Sequence, residues 1–95
     1  MATIDIASLI ICSPELRGGR PRLAGTGVTV HRVAGWYKLG MTPEEIAHRL
    51  GHLTLAQVYA ALAYFHANRE QIETELQRDD VEADQLEAMH TTPKQ

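Results

Sequence analysis

The sequence predicts a mainly α-helical domain: a three-helix core containing a helix-turn-helix, a short N-terminal β-ribbon and an extended C-terminal helix. Three observations predict it. Two helix starts of one design, Thr42-Pro43-Glu44-Glu45 and Thr54-Leu55-Ala56-Gln57, flank Gly51. All seven glycines lie between Gly18 and Gly51, so tight turns are confined to that stretch. Charge is polarised as well. Residues 1–40 carry five basic and two acidic side chains, net +3, whereas residues 68–95 carry three basic and eight acidic, net −5. The 95-residue chain has a formal charge of −3, which conceals this split. The length allows one small domain, placed at residues 1–78, followed by an acidic, partly disordered tail at 79–95.

The elements follow in order. Leu9-Ile10-Ile11-Cys12 is a short apolar run that fits a buried or paired strand, and Ser13-Pro14 ends it because proline cannot continue a ladder. The residues before it lack a basic start and a cleavage pattern, so no signal peptide is expected and a cytoplasmic address is the default. Arg22-Leu23-Ala24 and Val28-Thr29-Val30 flank Gly25-Thr26-Gly27, the pattern of a β-hairpin. Residues 31–39 place Val33, Trp36, Tyr37 and Leu39 at helical spacing, and Gly40 follows as the terminator. Thr42 caps the next helix, with Pro43 at its first position and Glu45 completing a capping box. Thr54 and Gln57 repeat that box. The third helix continues through Val58, Leu62, Phe65, Ile72 and Leu76 to about Arg78.

A short helix closed by glycine, a tight turn and a capped longer helix make a helix-turn-helix. Ile46, Ala47, Leu50, Val58 and Leu62 face inward in this reading. The same pattern also suits a helical hairpin with no role on DNA. The helix after Thr54 has no arginine, lysine or asparagine between Leu55 and Ala67, and Ala56, Ala60 and Ala63 are its outward positions. The basic charge lies in Arg17, Arg20, Arg22, Arg32 and Lys38, a stretch without acidic residues. These side chains suit phosphate contact, or pairing with the chain's own carboxylates at Glu15 or in the acidic tail. Ile72, Leu76 and Leu86 lie among Asp79, Glu82 and other acids, as on a partner-binding arm or a solvated helix face.

Catalysis finds little footing. The five histidines form no metal motif and read as surface or capping residues. Cys12 reads as a small buried hydrophobe. No catalytic residue, metal, cofactor or small-molecule substrate is expected, and no apolar run approaches the ~18–20 residues of a membrane span. A homodimer is expected, because the short strands need pairing and the third helix has more apolar surface than one small core covers.

Several segments together resemble the domain-of-unknown-function 433 family. They are Ser13-Pro14-Glu15, Gly18-Gly19-Arg20-Pro21, Ala24-Gly25-Thr26, Gly40-Met41-Thr42-Pro43-Glu44-Glu45-Ile46, His52-Leu53-Thr54-Leu55-Ala56-Gln57-Val58 and Ala60-Ala61-Leu62-Ala63-Tyr64. The resemblance covers about residues 9–75. It implies a homeodomain-like or winged helix-turn-helix fold with an N-terminal β-ribbon, often dimeric. It further implies an antitoxin of the VapB type that binds its promoter and neutralises a PIN-like ribonuclease toxin. Carried onto this chain, Arg17, Arg20, Arg22, Arg32, Lys38, Thr54 and Gln57 would face double-stranded DNA, and Ile72, Leu76, Asp79, Glu82 and Leu86 would hold the toxin. Gly27 stands where the family usually has arginine, and Thr29 where it has proline. Losing a ribbon arginine removes one phosphate contact and leaves a second expectation, a protein-interaction or dimerisation module that does not bind DNA.

Overall fold

The computed structural model describes residues 3–15 and 17–90, with Arg17 and residues 81–90 given by their backbone alone. Asp5 accepts a hydrogen bond from the Ala7 amide and so caps a 3-10 turn over Ile6–Leu9. β1 (Ile10–Ile11) follows and pairs antiparallel with β2 (Arg22–Leu23), Ile10 opposite Leu23 and Ile11 opposite Arg22.

The glycine turn forms where the sequence places it, but its second arm is not a strand. The Thr26 amide donates to the Leu23 carbonyl at 3.0 Å, and Gly25 takes φ 79°, a left-handed conformation that a side chain would strain. One isolated bridge, Arg22 to Thr29, continues the pairing. It stops there because Thr29 is already the N-cap of α1 (Val30–Lys38), its hydroxyl accepting from the Arg32 amide at 3.1 Å. The ribbon's main partner is therefore the distant strand β1. A two-stranded ribbon is marginal in water. Leu23, fully buried, anchors this one to the helices.

α2 (Pro43–Leu50) and α3 (Leu55–Ala67) both begin with complete capping boxes. The Thr42 amide donates to Glu45 Oε1 at 2.8 Å, and the Glu45 amide donates to Thr42 Oγ1 at 3.1 Å. Thr54 and Gln57 repeat the exchange at the same two distances. Gly51, at φ 80°, turns the chain out of α2, and Leu53 buries in the turn before α3. Ile46, Val58 and Leu62 are buried as expected, while Ala47 and Leu50 pack against the core from partly exposed positions.

The third helix is not continuous. It breaks at Asn68, which has φ −128° and ψ 38°. The Asn68 amide and Nδ2 both donate to the Tyr64 carbonyl, at 3.0 Å each, which closes α3. The Asn68 carbonyl then accepts from the Ile72 amide at 3.0 Å, which starts α4 (Arg69–His90). The polar side chain satisfies the end of one helix so that the next can leave in a new direction. α4 runs on past Arg78 to His90. Of the tail expected to be partly disordered, residues 91–95 lie outside the described residues.

The described residues thus hold four α-helices and one small two-stranded antiparallel sheet, a mainly helical fold. One core joins them, with Leu23 from the ribbon, Val30 and Val33 from α1, Ile46 from α2, Phe65 from α3 and Ile72 from α4. Three expectations change. Ala60, read as outward, is buried at 6 % exposure because the N-terminal segment packs over that side of α3. Cys12, read as buried, is exposed, since β1 ends before it. Ile72, read as part of a partner-facing stripe, is 1 % exposed, because the break at Asn68 turns it inward. Among the described residues no helix is long and apolar enough to cross a membrane.

Candidate functional site

The basic residues divide into those tied within the chain and those left on the surface. Arg20 forms a two-pronged pair with Asp79, Nη1 to Oδ2 at 2.8 Å and Nη2 to Oδ1 at 3.0 Å. Lys38 Nζ lies 3.2 Å from Glu73. Arg22 donates to the Thr26 carbonyl at 2.8 Å and to Ser13 Oγ at 3.0 Å, and its Nε is buried without a partner among the described residues. Arg22 therefore holds the glycine turn to the end of β1. The side chain of Arg17 lies outside the described residues.

The first part of the acidic segment thus lies against the basic one. Glu73, Glu75 and Asp79 on α4 meet Lys38, His31 and Arg20 in turn. The central pair is the least exposed. His31, read as a surface or capping residue, is 3 % exposed, and its Nε2 lies 2.6 Å from Glu75 Oε1. An ionised carboxylate only accepts, so Nε2 carries the proton. Nδ1 is buried with no partner among the described residues. The hydrogen bond from His31, opposed by burial, holds the Glu75 carboxyl below the usual carboxylate range. The Arg20 fork does the same for Asp79. Hydrogen bonds from Arg69 and then Lys38 lower Glu73.

These ties dock the first turns of α4 along α1. Between the two helices lies an open cleft of about 680 Å³, lined by the apolar Trp36, Leu39 and Leu76 and by the charged Arg32, Lys38, Glu73 and Asp80. Leu76 and Asp79, two expected partner contacts, therefore face α1 and Arg20. The side chains of Glu82 and Leu86, two further expected contacts, lie outside the described residues.

A second cluster sits beside this cleft. The Arg32 guanidinium carbon is 5.3 Å from the Trp36 ring centre, and that of Arg49 is 5.6 Å from it. Arg32 and Trp36 are one helical turn apart on α1, and Arg49 reaches them from the last turn of α2. Neither arginine makes an ion pair among the described residues. Of the residues the sequence marks for DNA contact, Arg32 belongs to this cluster; Trp36 and Arg49 are not among them. Their signal was an aromatic residue four positions after an arginine, but the contribution of α2 is visible only in three dimensions.

Thr54 and Gln57 are occupied with capping α3. Around them the opening of α3 is in solvent, with Leu55 and Tyr59 among its exposed large side chains. A further accessible feature is the N-terminal apolar edge. Ile4 and Ile6 are exposed there, and a shallow depression is lined by Ile6, Ile10, Cys12 and Tyr64. Among the described residues no group of three or more histidines, cysteines or carboxylates is arranged to hold a metal ion.

Comparison with known proteins adds two findings. A family model described as "Protein of unknown function (DUF433)" matches residues 10–65. The fold is similar to a crystal structure of a DUF433 member protein from Anabaena variabilis, at 28 % sequence identity and a TM-score of 0.68, covering 73 % of this chain and 68 % of that one. No curated protein matches.

Proposed function

The chain belongs to the DUF433 family, whose function is unknown, and within it we propose an antitoxin-like regulator. Its helix-turn-helix body, of homeodomain-like type, binds double-stranded DNA. Its C-terminal helix takes up and neutralises a PIN-like ribonuclease. The observation that carries this reading is the α2–α3 unit. Two box-capped helices are joined by a turn locked through buried Leu53, and the opening of the second helix is left in solvent. That is the arrangement by which a helix enters a major groove while the helix before it lies along the backbone. α4 supplies the arm. It is 22 residues long and is tied to the body through Glu73, Glu75 and Asp79. The test has two arms: gel shifts on the native upstream duplex, and ribonuclease assays with a PIN-like ribonuclease of the same genome. Retarded DNA and a nuclease silenced near one-to-one stoichiometry support the reading. Unshifted DNA and full nuclease activity under excess protein overturn it.

A second copy completes the unit in this reading. β1 has one strand neighbour among the described residues, β2, so its other edge is open beside exposed Ile4 and Ile6. Light scattering at micromolar concentration giving twice the chain mass supports a dimer, and a monomer mass rejects it. The interaction module without DNA binding remains the second reading. It is favoured by the pairing of Arg20 and Lys38 with α4 and by the uncharged side chains of α3.

A further inference from the structure

We propose that Arg32, Trp36 and Arg49 form the surface that grips the phosphate backbone of duplex DNA, an inference that rests on the DNA-binding half of the function proposed above. The geometry separates these two arginines from the basic residues that bond within the chain; Arg78 on α4 also makes no hydrogen bond among the described residues, but its charge acts on Asp79. Arg20, Arg22, Lys38 and Arg69 are each hydrogen-bonded within the chain. Arg32 and Arg49 instead lie over one indole, 5.3 and 5.6 Å from its centre, with no ion pair to a carboxylate on either among the described residues. A guanidinium held over an aromatic ring is attracted by the ring face without using its N–H donors, which stay available to an anion. Its side chain has already lost much of its rotamer freedom, so less ordering cost remains when an anion arrives. The fork it presents matches a phosphate oxyanion.

The position favours duplex DNA over an acidic peptide. Arg49 is in the last turn of α2, and the chain after it passes through Gly51 and Leu53 directly to the exposed start of α3. Contacts to the backbone set the register of a helix in the groove, and α3 has no arginine or lysine with which to make them. Two of the four surrounding carboxylates are hydrogen-bonded within the chain. Glu45 bonds the Thr42 amide, and Glu73 bonds Lys38 and Arg69. Glu44 shares a surface depression with Arg49, and Asp80 shares the α1–α4 cleft with Arg32, so both lower the local potential.

The experiment is fluorescence anisotropy with the full chain and the labelled native upstream duplex, over a range of salt concentrations. Circular dichroism verifies that each variant is folded. Arg32→Gln and Arg49→Gln are each expected to weaken binding about tenfold and to reduce the salt slope by about one. Arg32→Lys keeps the slope while losing affinity, because charge remains but the fork and the stacking do not. Asp80→Asn strengthens binding. Wild-type binding that neither glutamine variant alters overturns this inference and leaves DNA binding standing. Loss of binding to a labelled poly-glutamate peptide, with duplex binding intact, overturns it in favour of an acidic protein partner. A wild-type chain that binds no duplex removes the DNA reading and this surface with it.

Discussion

Replacing Glu75 by alanine tests the tie between α4 and the body. The substitution removes a 2.6 Å hydrogen bond and leaves both ring nitrogens of His31 without a partner, in a side chain 4 % exposed. Stranding a buried polar group costs about 1–3 kcal/mol. The Glu75 side chain is 25 % exposed, so water compensates in part, and about 2 kcal/mol is expected at pH 7. For a domain of this size that is a fall in Tm of about 8–16 °C. Thermal and urea unfolding followed by far-UV circular dichroism measure it. Gln77→Ala, at an exposed position on the lip of the α1–α4 cleft with no side-chain hydrogen bond to lose among the described residues, is the control and should stay within about 0.5 kcal/mol. Replacing both partners by apolar groups is far less costly than removing one. His31→Leu combined with Glu75→Ala should therefore recover most of the loss. A Glu75→Ala cost under about 0.5 kcal/mol, or a double variant less stable than the single one, would refute the reasoning.

Three further outcomes follow from the same geometry. Glu73, Glu75 and Asp79 have lowered folded-state pKa values, so their contribution is complete above the unfolded value near pH 4 and is lost as pH falls through the folded values. The urea midpoint should drop across that acid range, and Asp79→Asn should flatten the drop. Thr42→Ala and Thr54→Ala should each cost about 1 kcal/mol in urea unfolding, since each hydroxyl accepts from a backbone amide at 3.1 Å. Exposed Cys12 should react with a thiol reagent at one equivalent in the native protein, whereas a thiol that reacts only in denaturant would place it inside an interface.

What the sequence made legible was local. The two capping boxes, Gly40 and Gly51 each depend on residues within four positions, and all of them stand where the spacing put them. The break at Asn68 is not legible in the sequence because Ile72 and Leu76 keep the helical period across it, so only the cap geometry reveals it. The ribbon was half legible. Gly25 marks the turn, but nothing near Arg22 indicates that its strand partner is Ile11. The site was least legible for the same reason. Charge counting identified a basic stretch and an acidic one, and pairing with the tail was one of two open readings. Which side chains meet, Arg20 with Asp79 and His31 with Glu75, is set by how α4 leaves Asn68. Burial of His31 and Ala60 likewise comes from segments far away in the chain, α4 over one and the N-terminal turn over the other.

The central claim is that this body binds DNA through its phosphates despite the acidic total. The most direct measurement is the affinity of the full chain for its own upstream duplex as salt is raised. The account predicts that the logarithm of the binding constant falls linearly with the logarithm of salt, with a slope of about −0.9 for each phosphate contacted. An affinity indifferent to salt, or no binding at low salt, would contradict it.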